Sequence, residues 1–167
     1  MRSGLVPGKE SALYRPGSGP GALANGIGLE ICKDMDFQAM VRHDELQTKP
    51  FVLAVPAWDF GKDDWSHARV AILRSVENGV AMARSARNGL LTLNDRYGRI
   101  VGRAKSRIDF TVLIGEIPLY GRGGGTVYDA TGELFGWSCV VLSLLAVAGS
   151  LVRIHRRYPS VRRPEQL

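Results

Sequence analysis

The chain has 167 residues, 45% of them hydrophobic and 23% charged, which is enough for one domain with a real core and too apolar for a disordered chain. Its net charge of +6 does not describe a nucleic-acid-binding face, because five arginines lie in the tail "RIHRRYPSVRRPEQL" against one Glu165 and the rest of the chain is near neutral. Two cysteines, Cys32 and Cys139, make no disulfide framework, and the three scattered histidines offer no zinc spacing, so neither a metal nor a cofactor is expected.

Residues 1 to 25 are rich in Gly and Pro and read as irregular. Gly26 to Ile31 is a predicted strand. It runs into Cys32, and a helix follows from Asp36 to about Leu46. "FVLAVPA", residues 51 to 57, is a short apolar run ended by proline and reads as a buried strand. "WDFGKDD" is a loop. Asp64 is placed to cap a helix from Trp65 to Asn78, with Gly79 at its C′ position. On that helix Ala68, Ile72, Leu73 and Val76 form the apolar stripe, and Arg69, Arg74 and Glu77 face out. The period then changes. "VAMARSA", "GLLTLND" and "RIVGRAK" read as strands separated by "RNG" and "DRYG" turns. "DFTVLIGEIP", 109 to 118, reads as one more strand, and "GRGGGTVYDATGE" as a connecting loop. The predicted class is α/β (α+β) with a mixed sheet.

Leu134 to Val152 is an uncharged stretch of 19 residues. As a helix it spans about 28 Å, close to the thickness of a bilayer core. Trp137 sits near one end and arginines crowd the other. The positive-inside rule puts the C-terminus in the cytoplasm and residues 1 to 133 outside it. The alternative is a buried core helix. "MRSGLVPGKE" has no apolar h-region. The expectation is therefore either a tail anchor or the end of a longer chain, whose earlier helices carry the domain across.

Cys32 is the first candidate for chemistry. At a strand-to-helix junction a thiol projects from a sheet edge, turn N–H groups can face an oxyanion, and a helix N-terminus favours the thiolate. The same position also suits a small buried thiol. Lys33 is an adjacent cation. Asp34 and Asp36 read either as a base or as caps of the following helix, with capping favoured. Trp58 and Phe60 read either as pocket walls or as packing. His67, in the first turn of its helix, is not favoured as a base. "GRGGGT" lacks the Gly-Lys-Ser/Thr ending of a phosphate loop. Cys139 reads as a packing residue in the span.

"GLEICKDMDF" resembles the nucleophile motif of the nitrilase, or carbon–nitrogen hydrolase, superfamily: an apolar strand, Cys, any residue, an acid, then an aromatic. "LVPGKE", "VPAWDFG", the helix and hairpin of "HARVAILRSVENGVAMARSARNGLLTLNDRYGRIV", and "YGRGGGTVYDATGELFGW" resemble, in the same order, segments of its membrane-bound branch, the apolipoprotein N-acyltransferases. The resemblance implies an α-β-β-α sandwich, here in part, followed by one transmembrane helix. It implies a division into residues 1–133, the span 134–152 and a basic tail 153–167. It also implies Cys32 as nucleophile, Glu10 as a second glutamate, and Trp58 and Phe60 beside the substrate. The partners it implies are a phospholipid acyl donor, a lipoprotein or amide substrate, and the membrane. No nucleic acid is among them.

The departures are specific. The family lysine lies just before "LVP", where this chain has Arg2, Ser3 and Gly4; Lys9 is a possible substitute cation. The family's first glutamate lies further upstream still. The expectation is a C-terminal part of such a domain: a fragment, a truncated reading frame, or one half of a split protein whose other chain supplies the N-terminal half. The alternative is a catalytically inactive, membrane-anchored remnant or interaction module.

Overall fold

The computed structural model describes residues 19–157 apart from Phe60, Lys62, Ile108 and Asp109, with side chains described through Ile154. Glu10 and Lys9 therefore lie outside the described residues, as does Phe60. The chain divides after Gly132 into a sheet unit and a helical unit.

Among its described residues the sheet unit holds six strands in chain order: β1 (Gly21–Ala22), β2 (Ile27–Leu29), β3 (Val52–Trp58), β4 (Ala81–Arg87), β5 (Leu90–Asn94) and β6 (Ile100–Lys105). β2, β3 and β4 are parallel, and β1, β5 and β6 join antiparallel. Parallel neighbours need crossovers, and the helices α1 (Gln38–Thr48) and α2 (Asp64–Glu77) supply them. Val41 of α1 and Ala71 of α2 share one core with Leu53, Val55, Val80 and Met82, so both helices cover the same sheet face. The mixed sheet with helices agrees with the expected class.

The strand alternation explains this core. Leu53 pairs with Met82 and Val55 with Arg84, and these side chains point to the helices. Asn94 pairs with Met82 and donates to Ser75 of α2 at 2.8 Å, which fixes the same face. Ala54, Ala83 and Leu93 point the other way, to a face that neither α1 nor α2 covers.

Several expectations change in the structure. α2 starts at Asp64, so that residue lies inside the helix. Asp63 is the N-cap, at φ 55°, and its carboxylate accepts from the Ser66 hydroxyl at 2.7 Å rather than from a backbone N–H. Gly79 takes the expected left-handed position past the helix end, at φ 59°. The buried stripe is Ala68, Ala71, Arg74 and Ser75, while Leu73 and Val76 are exposed. Small residues let α2 approach the sheet closely, and the stripe turns accordingly. Arg74 is pulled inward because its Nε donates to the Met35 carbonyl at 2.9 Å.

Residues 110–120 form no ladder with another strand among the described residues, against the predicted strand at 109–118. The "GRGGGTVYDATGE" segment is not all loop. It contains α3 (Val127–Thr131), which opens on a reciprocal capping box between Thr126 and Asp129. In the helical unit, α4 runs from Leu134 to Arg157. Its stretch Leu134–Ile154 has mean hydropathy 2.0 and is long and apolar enough to cross a membrane by length and composition. Cys139 is exposed on it.

Candidate active site

β2 has only three residues, but its parallel pairing to β3 runs further. Glu30 N–H donates to the Ala54 carbonyl at 3.3 Å and Cys32 N–H to the Pro56 carbonyl at 3.1 Å. Cys32 thus sits at the carboxyl end of two parallel strands, the edge where open α/β sheets bind ligands. The chain then turns sharply. Asp34 N–H donates to the Ile31 carbonyl at 2.9 Å, and the Asp34 carboxylate accepts from the Ile31 N–H at 2.8 Å. The two bonds brace the backbone on both sides of the thiol. Arg74 holds the far side of the turn through Met35.

Neither Asp34 nor Asp36 caps a helix. Asp34 reaches back to Ile31, and Asp36 takes the Lys33 ammonium at 2.7 Å. Lys33 is therefore committed to Asp36 and also lies over the Phe37 ring. The α-helix begins only at Gln38, with a single 3-10 turn, Asp34–Asp36, in between. A helix N-terminus does not abut Cys32 directly, because the tight turn through Asp34 has to finish first.

A small crevice opens at Cys32, lined also by Met35, Asp36, His67, Val70, Ala71 and Arg84. His67, not favoured in the sequence, is brought there because the first turn of α2 passes over this sheet edge. No hydrogen bond joins His67 to Cys32 among the described residues. Trp58 does not line the crevice. It is half-exposed at the end of β3, with the Arg87 guanidinium 4.9 Å from its ring centre.

Sequence reasoning missed the floor of the site. Arg84 and Asp59 are both buried and form a two-pronged ion pair. Arg84 Nη1 donates to Asp59 Oδ2 at 2.9 Å and to the Leu90 carbonyl at 2.7 Å, and Nη2 donates to Asp59 Oδ1. The signal was present: in β4, Arg84 follows Met82 at the inward register, and an inward arginine demands a partner. Gly89 makes room for that partner, since a Cβ there would lie 2.0 Å from Asp59 Oδ2. Gly89→Ala is accordingly expected to destabilise the sheet unit by about 1–3 kcal/mol, read as a lower midpoint in thermal unfolding. An unchanged midpoint would mean that Asp59 moves aside freely.

A second buried group lies behind the thiol. Glu30, Asp34, Asp44 and Glu45 are all buried carboxyls. Burial, then the Asp34, Asp44 and Glu45 charges, push the Glu30 carboxyl up to about 8. Burial, then Asp44 and Asp129, push Glu45 to about 8. Burial likewise raises Asp34. Among the described residues no group of His, Cys, Asp or Glu side chains is arranged to hold a metal ion.

No family model matches the chain. It is 28% identical over 142 residues to the apolipoprotein N-acyltransferase of Geobacter metallireducens, which covers 81% of this chain and 26% of that protein. It is 27% identical over 158 residues to the apolipoprotein N-acyltransferase of Thermotoga maritima, covering 90% and 29%. The chain therefore spans little more than a quarter of the length of these relatives. Among solved structures, an amidase from Nesterenkonia sp. superposes with a TM-score of 0.52 at 23% identity, over 63% of this chain and 44% of that one. A variant of that amidase, carrying the acetamide moiety of fluoroacetamide on its active-site cysteine, superposes with a TM-score of 0.54 at 22% identity, over 64% and 45%. Over the matched residues the fold is shared with part of the amidase, and fold and sequence together relate this chain to the carbon–nitrogen hydrolase superfamily, through relatives that are apolipoprotein N-acyltransferases.

Proposed function

We propose that the chain is the C-terminal part of a carbon–nitrogen hydrolase-type N-acyltransferase, and that Cys32 carries the acyl group. The Cys32 sulfur attacks the ester carbonyl of a phospholipid, the lysophospholipid leaves with the proton, and a thioester remains. The amino terminus of a lipoprotein then attacks that thioester, forming an amide and freeing the thiol. Glu10 serves as the second glutamate, and Trp58 and Phe60 border the substrate beyond the Cys32 crevice. No cofactor is invoked. Residues 1–133 form the reacting domain, 134–152 the span and 153–167 a cytoplasmic tail, so the domain lies outside the cytoplasm. The N-terminal half of the sandwich, in the same polypeptide or another, supplies the base and the lysine.

The observation that carries this reading is the position of Cys32: at the carboxyl end of β2 and β3, in a turn braced by Asp34, at the mouth of a crevice. A second reading, an inactive membrane-anchored interaction module, is favoured by one feature. Lys33, the cation beside the thiol in sequence, is engaged by Asp36.

The test is mass spectrometry of the full chain in detergent after incubation with phosphatidylethanolamine, alone and with a co-expressed N-terminal half. The expected result is a hydroxylamine-labile acyl adduct on Cys32 that is absent in Cys32→Ala. A chain that acquires no adduct under either condition supports the inactive module instead.

A further inference from the structure

Arg84 commits only part of its guanidinium to the floor of the site. The group carries five N–H donors. Nη1 gives one to Asp59 Oδ2 and one to the Leu90 carbonyl, and Nη2 gives one to Asp59 Oδ1. Nε–H is buried and has no partner among the described residues. The second Nη2–H lies parallel to it on the same edge, because a guanidinium is planar and rigid. That edge is an unused fork on a side chain only 1% exposed. A buried donor left unpaired costs free energy, so the fork calls for an acceptor.

The fork belongs to the Cys32 crevice. Arg84 stands opposite Val55 on the neighbouring strand, next to Pro56, whose carbonyl takes the Cys32 N–H. Among the described residues Arg84 is a wall of the crevice, whereas Asp59 and Leu90, which hold the far end of the guanidinium, are not. The free edge therefore faces the thiol. The crevice holds about 10 Å³, room for one water-sized group. That excludes a whole phosphate or carboxylate and admits a single oxygen. The other polar walls do not compete for it. Asp36 and His67 are both exposed, and Asp36 is paired with Lys33.

We infer that the Arg84 fork holds the acyl oxygen while Cys32 is being acylated. The inference rests on the proposed function and adds a catalytic residue to it. As the Cys32 sulfur bonds to the carbonyl carbon, the C=O π pair moves onto the oxygen. That oxygen accepts from Nε–H and Nη2–H of Arg84. When the pair returns, the ester C–O bond breaks, and the lysophospholipid leaves with the thiol proton. Asp59 matches the charge of Arg84, so the fork acts through charge-assisted hydrogen bonds aimed in advance at the place where negative charge develops.

The test compares two reagents on Cys32 of the full chain in detergent, read by mass spectrometry. p-Nitrophenyl acetate acylates the thiol through a tetrahedral oxyanion. Iodoacetamide alkylates it by direct displacement, with no oxyanion. A change in the thiol itself moves both rates, so the readout is the ratio of acylation to alkylation. Asp59→Leu with Arg84→Met leaves no orphan charge, and in it the ratio is expected to fall about a hundredfold. Arg84→Lys keeps a cation against Asp59 but has no fork, so it is expected to lose the ratio too, and it serves where the double variant does not fold. An unchanged ratio in either folded variant overturns the inference. A wild-type Cys32 that iodoacetamide alkylates and the ester leaves untouched overturns it as well. Acylation by the ester that depends on Arg84, with no adduct from phosphatidylethanolamine, upholds the fork and sinks the phospholipid reading. An adduct from phosphatidylethanolamine that forms as readily, relative to alkylation, without Arg84 upholds that reading and sinks the fork.

Discussion

Arg84→Met is expected to cost the sheet unit about 3–5 kcal/mol, the usual penalty for removing one partner from a buried ion pair. The variant leaves the Asp59 carboxylate in the interior with no cation. It also takes a donor from the Leu90 carbonyl, at the start of β5. Among the described residues Asp59 then keeps only the Leu90 N–H at 3.4 Å, too long to hold a buried charge. Arg84→Lys should cost less, because an ammonium can meet one carboxylate oxygen but cannot reproduce the fork. Asp59→Leu combined with Arg84→Met should recover much of the loss, since no orphan charge then remains. The measurement is thermal unfolding of the full chain in detergent, followed through Trp58 and Trp65 fluorescence as a double-mutant cycle. Additive single losses, with no recovery in the double variant, would mean that the pair is not energetically coupled. Arg84 also forms a wall of the Cys32 crevice, so the same variant should change thiol reactivity even where the fold survives.

The parts legible in the sequence are those governed by local pattern. β3 stands out because "FVLAVPA" is a short apolar run, and its structured range begins one residue later. The hairpins stand out because Asn88 is free to take a left-handed turn, which it does at φ 51°. The parts not legible depend on distant partners. Arg74 looked like a surface arginine until the carbonyl of Met35, 39 residues away, drew it inward. Asp34 looked like a cap because helix caps are the commonest use of such a residue. Its actual partner, the Ile31 N–H, is set by a turn too tight for periodicity to reveal. The predicted strand at 109–118 is not one in the structure, where residues 110–118 form no ladder among the described residues. Strand pairing depends on a partner segment, which local composition does not reveal. The place of Cys32 at a strand end was legible, whereas the Arg84–Asp59 floor beneath it required the register of β3 on β4.

The sheet unit is expected to lose stability as pH rises from about 5 to about 8. Glu30 and Glu45 are each held near 8 in the folded chain, against an ordinary value of 4.5. Between those limits the folded state keeps protons that the unfolded state has released, so each unit of pH favours unfolding. The stabilisation is complete below the unfolded value and is spent once pH passes the folded one. The facing groups do not reverse this. Asp34 is itself raised by burial, and Asp44 and Asp129 add negative charge. Arg42, the nearby cation, is occupied with the Tyr128 and Asp129 carbonyls, and His43 pairs with Asp44 at 3.0 Å. Asp95 behaves oppositely. Burial alone would raise it, but hydrogen bonds from Arg99 and the Tyr97 N–H outweigh that and hold it low, so its contribution is lost only in acid below the window. The midpoint of thermal unfolding should therefore fall by roughly 10 °C between pH 5 and pH 8. Glu45→Gln should flatten much of that slope, because a neutral amide has no proton to surrender. A midpoint that stays level or climbs across the window would mean that the cluster is charged and compensated in the folded chain. Glu30 lies two residues before Cys32, so the same titration acts on the strand that carries the thiol.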